Sequence, residues 1–260
     1  MGRIADSFTT LKQEGKKGFI PFFTAGDPNL VTTEKLLITL AQSGATLIEL
    51  GVPFSDPMAD GPVIQRASER ALKNTFGLQE ILDTVARARK QIDIPIILFS
   101  YYNPLFQFGL KRLAEAAKDA GLDGVLVTDL TPEESGEFER ELRALGLDMI
   151  FLVAPTSTDE RLKLVADRAS GFIYAVSRAG VTGTRETVSA EAEKLVNRVR
   201  KFSELPVAVG FGISNAEQVA DVQRYADAVV VGSAIVAEME RLGDRPDLVE
   251  RIGKFLTGLR

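Results

Sequence analysis

Residues 47–62, with the sequence LIELGVPFSDPMADGP, run from an apolar strand through a loop that contains Pro53 and Pro57 to a helix start at the third proline, Pro62. The helix is expected to begin at Gly61-Pro62, because proline is favoured at the first position of a helix. Glu49 lies within the predicted strand, and Asp60 follows in the loop. The segment therefore predicts a strand–loop–helix unit that carries one carboxylate inside the strand and another beyond it.

Strand candidates of the same apolar kind recur along the chain. They are residues 18–23, 46–50, 95–100, 124–128, 148–153, 171–176, 206–210 and 227–232. The segments between them have apolar residues at helical spacing, as in the sets that begin at Leu113, Leu162 and Ala192. Apolar strands that alternate with helices indicate parallel pairing, because helices must cover both faces of a parallel sheet.

Eight such units predict an α/β protein with one domain, residues 1–260, folded as a (β/α)8 TIM barrel. A doubly wound open sheet is the alternative, and it would need a glycine-rich dinucleotide turn after an early strand. Residues 23–27 contain a single glycine, which disfavours that alternative. Ile4, Phe8 and Leu11 form an apolar stripe that predicts an extra N-terminal helix, plugging the bottom of the barrel.

Several short patterns predict where helices begin and end. Asp27-Pro28 is expected to supply the N-cap and first residue of a helix, while residues 131–134 and 157–160 place carboxylates in first turns. Helices are expected to end at glycines just before strands, namely Gly44, Gly121 and Gly146.

Composition narrows the classes of function. The net charge of -5 disfavours nucleic acid and anionic membranes as partners, and no apolar run approaches the roughly 20 residues that span a bilayer. The N-terminus lacks an apolar signal core, so we expect a cytoplasmic protein. Without cysteine or histidine, we expect no disulfide and no metal site, and acid–base chemistry must use Asp, Glu, Lys or Tyr.

The carboxylates are the first candidates for that chemistry, because active sites of such barrels lie at the C-terminal ends of the strands. Burial would raise the pKa of Glu49 toward neutrality, which suits a general acid or base. A carboxylate paired with Arg or Lys inside the barrel is the alternative. For Asp56 and Asp60, the alternative to a catalytic role is that they are ordinary turn residues. Two carboxylates in different environments could divide the roles of acid and base.

Glycines cluster after strands six, seven and eight, in residues 180–183, 210–214 and 232–233. Glycine lets backbone N–H groups approach an anion, and a short helix over residues 233–239 would add its N-terminus. These loops predict a phosphate site, although plain turns are the alternative.

Aromatic residues at or near strand ends could line a pocket, or could simply be barrel core. They are Phe22, Tyr101, Tyr174 and Phe211. Residues 177–188 are too long and polar for a simple turn, and they predict a lid, with a disordered surface loop as the alternative.

Four motifs in order, at residues 21–28, 49–65, 177–183 and 210–214, closely resemble those of the α subunit of tryptophan synthase. The resemblance covers the whole chain. It implies cleavage of indole-3-glycerol phosphate to indole and glyceraldehyde 3-phosphate, with no cofactor in this chain.

Residue by residue, the resemblance implies that Glu49 protonates C3 of the indole and handles the glycerol hydroxyl, while Asp60 lies against the indole N–H. It assigns the substrate pocket to Phe22, Tyr174, Thr182 and Phe211, and the phosphate site to Gly183, Gly212, Gly232 and Ser233.

Members of the family pair with a β subunit in an α2β2 complex, and the resemblance assigns the pyridoxal phosphate to that subunit. The residues that match partner-facing loops are Asp56, Pro57, Asn103, Pro104, Leu105, Phe106 and Phe108. Independently, the apolar run at residues 104–108 predicts an exposed loop that suits an interface core.

Other barrel functions are disfavoured to different degrees. An epimerase or isomerase of this kind would need histidine, and an indole-glycerol-phosphate synthase would need a lysine on a barrel strand, which none of the predicted strands contains. A non-catalytic regulatory barrel subunit is a further alternative, against which the presence of Glu49 and Asp60 counts.

Overall fold

The computed structural model describes residues 2–74, 76–176, 185–210 and 212–260, without the side chains of residues 185–189. In these residues, parallel strands pair in chain order and close into a barrel, with β1 beside β8. The strands are Gly18–Thr24 (β1), Ile48–Gly51 (β2), Ile96–Ser100 (β3), Gly124–Val127 (β4), Asp148–Val153 (β5), Ile173–Val176 (β6), Val207–Gly210 (β7) and Ala228–Val231 (β8). The predicted (β/α)8 barrel and all of its strands are confirmed, with bounds shifted by two residues at most.

Helices surround this barrel and connect successive strands. They are Arg3–Glu14 (α1), Leu30–Gln42 (α2), Pro62–Leu72 (α3), Leu78–Ala88 (α4), Tyr102–Phe108 (α5), Leu110–Ala120 (α6), Gly136–Ala144 (α7), Asp159–Arg168 (α8), Arg185–Val199 (α9), Ala216–Gln223 (α10), Ser233–Leu242 (α11) and Leu248–Leu259 (α12). Their apolar faces and the outer faces of the strands form one buried cluster. The inner faces of the strands form a second cluster, inside the barrel.

The N-terminal helix belongs to the inner cluster. Ile4 and Phe8 of α1 are buried among inward-facing strand residues, and Leu11 packs against them. The ring centroid of Phe8 lies 5.9 Å from that of Phe172, just before β6. The predicted plug at the bottom of the barrel is therefore confirmed, and the opposite end is left for the site.

Two of the predicted helix starts are wrong. Helix α2 begins at Leu30 rather than at Pro28, and its N-cap is Asn29, whose side chain accepts a hydrogen bond from the N–H of Thr32 at 2.8 Å. Asp27 is instead buried and forms an ion pair with Arg70. A tertiary partner on α3 thus replaces the local capping role that the sequence suggested.

The second wrong start is at residues 131–134, which form a turn ahead of α7 instead of its first turn. By contrast, Thr158 caps α8 by accepting from the N–H of Arg161 at 3.2 Å, and Asp159 follows in the first turn as predicted. The glycine stops are confirmed, and Gly121 has a left-handed backbone with φ 82° directly after α6.

The plug predicts a clear effect on stability. Ile4→Ala should lower the free energy of unfolding by about 2–5 kcal/mol, because it opens a cavity in the inner core. Thr10→Ala, on the exposed side of the same helix, should change it by no more than about 0.5 kcal/mol. Urea unfolding of both variants checks this. Equal stability of the two would mean that α1 does not close the barrel.

Candidate active site

A cavity of about 290 Å³ opens at the C-terminal end of the barrel strands. Its lining comes from β-strands, from the loop after β2 and from the first residues of α3 and α11. The lining residues are Phe22, Glu49, Asp60, Gly61, Pro62, Val63, Ile64, Phe99, Tyr174, Gly212, Val230, Gly232 and Ser233. Both carboxylates singled out in the sequence therefore meet in one mostly apolar cavity.

Glu49 lies in β2, in register with Phe22 of β1 and Ile97 of β3. It is 1% exposed, and neither carboxylate oxygen has a hydrogen-bond partner among the residues that the structure describes. Burial therefore raises the pKa of Glu49 well above its ordinary value. The alternative of a carboxylate paired with Arg or Lys inside the barrel finds no support in the described residues.

Asp60 occupies a different environment at the mouth of the cavity. It is only partly buried, and desolvation raises its pKa to about 6, an effect that a hydrogen bond from Tyr101 opposes. The backbone carbonyl of Asp60 accepts a hydrogen bond from the Gln65 side chain at 3.0 Å. Gly61 is the N-cap of α3 and Pro62 its first residue, so the predicted helix start after Asp60 is confirmed.

The aromatic walls depend on glycines in neighbouring strands. A Cβ atom on Gly51 would lie 2.7 Å from the ring of Phe22, and one on Gly210 would lie 2.0 Å from the hydroxyl of Tyr174. The missing side chains thus make room for the two rings. Tyr174 is buried, and its pKa is raised by burial and further by the nearby Glu49.

Sequence reasoning missed several lining residues. Phe99 faces the cavity from β3 and meets Phe22 edge to face, with ring centroids 5.1 Å apart. Strand alternation could have identified it, because Phe99 lies two residues after the inward-facing Ile97. Val63 and Ile64 also line the cavity, and their place in the first turn after Asp60 was the available indication.

The glycine-rich loops reach the same cavity in part. Gly212, Gly232 and Ser233 line it, and α11 begins at Ser233, so the predicted short helix is present and runs on to Leu242. The first N–H groups of a helix lack partners within the helix and can bind an anion. Thr182, Gly183 and Phe211 lie outside the described residues.

The structure describes only part of the segment predicted to be a lid, residues 177–188. Residues 177–184 lie outside the described residues, and Arg185 already belongs to α9. The predicted irregular segment 177–188 is therefore too long at its C-terminal end, where the backbone is helical.

Tyr101 lies beneath the loop that carries Asp60 and is not among the residues that line the cavity. Its hydroxyl accepts a hydrogen bond from the N–H of Ala59 at 2.9 Å, and its ring lies 5.2 Å from that of Phe54.

Of the residues matched to partner-facing loops, Asp56 is exposed and accepts a hydrogen bond from Ser55 at 2.6 Å, while Pro57 is partly exposed. The neighbouring Met58 is 85% exposed.

The prediction of an exposed apolar loop at residues 104–108 is wrong. These residues belong to α5, in which Leu105 is fully buried against the outer core. Phe106 is 56% exposed, and Phe108 is partly buried with Arg112 over its ring at 4.3 Å. Helix formation thus turns Leu105 inward and leaves Phe106 as the exposed apolar side chain, next to the exposed Asn103 and partly exposed Pro104.

Among the residues that the structure describes, no group of three or more Asp, Glu, His or Cys side chains could hold a metal ion. No helix in that part of the chain is long and apolar enough to cross a membrane.

Comparison with known proteins agrees with this geometry. Residues 8–255 match the family model described as tryptophan synthase alpha chain. The chain belongs to the tryptophan synthase alpha chain family. A relative from Citrifermentans bemidjiense with that description is 50% identical over 260 residues, covering 100% of this chain and 97% of the relative.

Solved structures of the family superpose closely. Tryptophan synthase subunit alpha from Legionella pneumophila is 38% identical, with a TM-score of 0.90 over 100% of this chain and 97% of the other. A structure of the tryptophan synthase a2b2 complex from Pyrococcus furiosus matches at 41% identity, with a TM-score of 0.86 over 93% of this chain and 97% of the other. Family membership supports the α reaction of tryptophan biosynthesis as the function.

The fit between glycine and aromatic ring predicts a steric effect at the site. Gly51→Ala should lower the free energy of unfolding by about 1–3 kcal/mol, because its Cβ would overlap the Phe22 ring. Gly258→Ala is the matched control, since a Cβ there meets nothing within 4 Å and Gly258 lies at the C-terminal end of α12, so it should not lower the free energy of unfolding. Thermal unfolding of both variants tests this, and an unchanged Gly51→Ala protein would contradict it.

Proposed function

We propose that this chain is a carbon–carbon lyase that cleaves indole-3-glycerol phosphate by a retro-aldol reaction with two carboxylates. The observation that carries the proposal is that a fully buried Glu49, which has no hydrogen-bond partner among the described residues, and a half-buried Asp60 line one aromatic-walled cavity. The different environments suit different protonation states, because desolvation is stronger at Glu49.

Glu49 begins the reaction as the acid, since burial favours its protonated form. It donates its proton to C3 of the indole, which gives an indolenine with positive charge at the ring nitrogen. The bond between C3 and the glycerol chain then breaks, and its electron pair returns to the ring. The glycerol hydroxyl on the departing carbon loses its proton to the Glu49 carboxylate and becomes the aldehyde. Glu49 is thereby protonated again, so atoms and charges balance over the cycle.

Asp60 supports this step from the other end of the ring. As a carboxylate it accepts a hydrogen bond from the indole N–H and stabilises the positive charge that develops there. Phe22, Phe99 and Tyr174 supply an apolar wall for the flat ring. The start of α11 supplies backbone N–H groups for the phosphate, with Gly232 and Ser233 as the described residues nearest that role.

The partner follows from the same resemblance. The neighbouring Pyrococcus furiosus structure is an a2b2 complex, and we infer an equivalent β subunit for this chain. The buried Leu105 is not a candidate for its interface. The candidates are the exposed or partly exposed residues of the predicted set, namely Asp56, Pro57, Asn103, Pro104, Phe106 and Phe108. Pyridoxal phosphate is assigned to that β subunit, and we propose that this chain works without a cofactor of its own.

Substitution of the carboxylates tests the mechanism. Glu49→Gln and Asp60→Asn should each lower kcat by two orders of magnitude or more, because each removes a group that acts on the reacting atoms. The measurement is indole release from indole-3-glycerol phosphate, with and without a β subunit. Asp119→Asn, at an exposed position of α6 outside the cavity lining, is the control. Absence of release by wild type with the β subunit present would favour the non-catalytic regulatory subunit.

The pH profile tests the role of Asp60. Its pKa of about 6 in the free protein implies that kcat/KM falls as the pH drops through 6, because protonated Asp60 cannot stabilise the ring nitrogen. Tyr101→Phe removes a hydrogen bond that lowers this pKa, so the acid limb should move to higher pH. The measurement is kcat/KM from about pH 4.5 to about pH 9, a range that extends from ordinary carboxyl pKa values to beyond neutrality. An acid limb that stays in place in Tyr101→Phe would contradict the assignment to Asp60.

A further inference from the structure

A chain of ion pairs connects three elements behind the cavity. Arg66 and Arg70, both on α3, share Glu240 on α11, with N–O distances of 2.7 Å and 2.8 Å. Arg70 also pairs with the buried Asp27 in the loop after β1, at 2.7 Å. The two helices pack directly against each other, so Glu240 is the point at which the ion pairs cross between them.

The helices joined in this way both begin at the cavity. Helix α3 starts at Pro62, two residues after Asp60, and its Gln65 holds the Asp60 carbonyl. Helix α11 starts at Ser233, which lines the same cavity. The distance between the indole end and the phosphate end of the proposed site is therefore set by how α3 sits on α11.

The geometry of the ion pairs is more restrictive than that of ordinary surface pairs. Arg66 binds Glu240 through two nitrogens, both at 2.7 Å, and Arg70 binds Asp27 through two, at 2.9 Å and 2.7 Å. Such two-point contacts fix an angle as well as a distance. Isolated exposed pairs add little stability, so a role in orientation accounts better for this arrangement than a role in overall stability.

We propose that Glu240 is a positioning residue, which holds the start of α11 at a fixed distance from Asp60 by clamping Arg66 and Arg70 of α3. The inference rests on the proposed function, because it assumes one substrate that reaches both helix starts. A complete substrate needs the correct spacing between the two ends. A fragment that contacts only one end does not, and this difference separates positioning from general loosening of the fold.

The test compares the complete substrate with a fragment. In Glu240→Gln, kcat/KM for indole-3-glycerol phosphate should fall about tenfold or more, because small displacements of bound groups are costly in rate. The Kd for glycerol 3-phosphate, which carries only the phosphate end, should change less than about twofold, as expected if each end keeps its own contacts. Arg66→Gln should act in the same direction. Arg70 is left intact, since its loss would strand the buried Asp27.

The matched control is Glu238→Gln on the same helix. Glu238 pairs with Arg241 within α11, at 2.6 Å, so its loss removes a carboxylate from the helix without touching the link to α3. It should keep wild-type values for both ligands. The inference is overturned if Glu240→Gln behaves like Glu238→Gln, or if it weakens the fragment as much as the substrate. A wild type that releases no indole would instead reject the proposed function.

Discussion

Closure of the barrel, through the parallel pairing of β1 with β8, is the constraint on which the rest of this structure depends. It brings the C-terminal ends of the strands into one ring, so residues distant in sequence such as Phe22, Glu49 and Tyr174 face a common space. It also removes water from the interior, so the Glu49 carboxyl lies buried, with no hydrogen-bond partner in the part of the chain that the structure describes. An unpaired buried carboxyl destabilises a fold unless it is protonated, and that protonation state is the one that an acid needs.

Space inside the ring is divided between aromatic rings and glycines. Gly51 leaves room for Phe22, and Gly210 leaves room for Tyr174, so two wall residues exist because their neighbours have no side chain. The other end of the barrel is filled from outside by Ile4 and Phe8 of α1. The protein thus keeps one end of the barrel closed and the other open, without lengthening its short strands.

The helices behind the cavity carry a second level of organisation. Asp60 lies two residues before the start of α3, Ser233 begins α11, and these two helices pack together. Ion pairs as well as apolar contacts define that packing. Asp27 extends the same connection to the loop after β1. A reaction that must hold a flat ring and a phosphate at once would benefit from such a fixed separation, because orientation contributes strongly to rate.

Sequence alone determined the architecture, because apolar strands, helical periodicity and glycine stops are local patterns and closure follows from their number. It also identified Glu49 and Asp60 as candidates, since no histidine or cysteine was present to compete with them.

Only the tertiary structure decided the matters that depend on residues far apart in the chain. Asp27 does not cap α2, because Arg70 on α3 lies within reach of its carboxylate. Leu105 is core rather than surface, since α5 turns it toward the packed helices. The unequal burial of Glu49 and Asp60 likewise comes from strands and loops that converge on them, because desolvation is a property of the assembled surroundings and not of the local sequence.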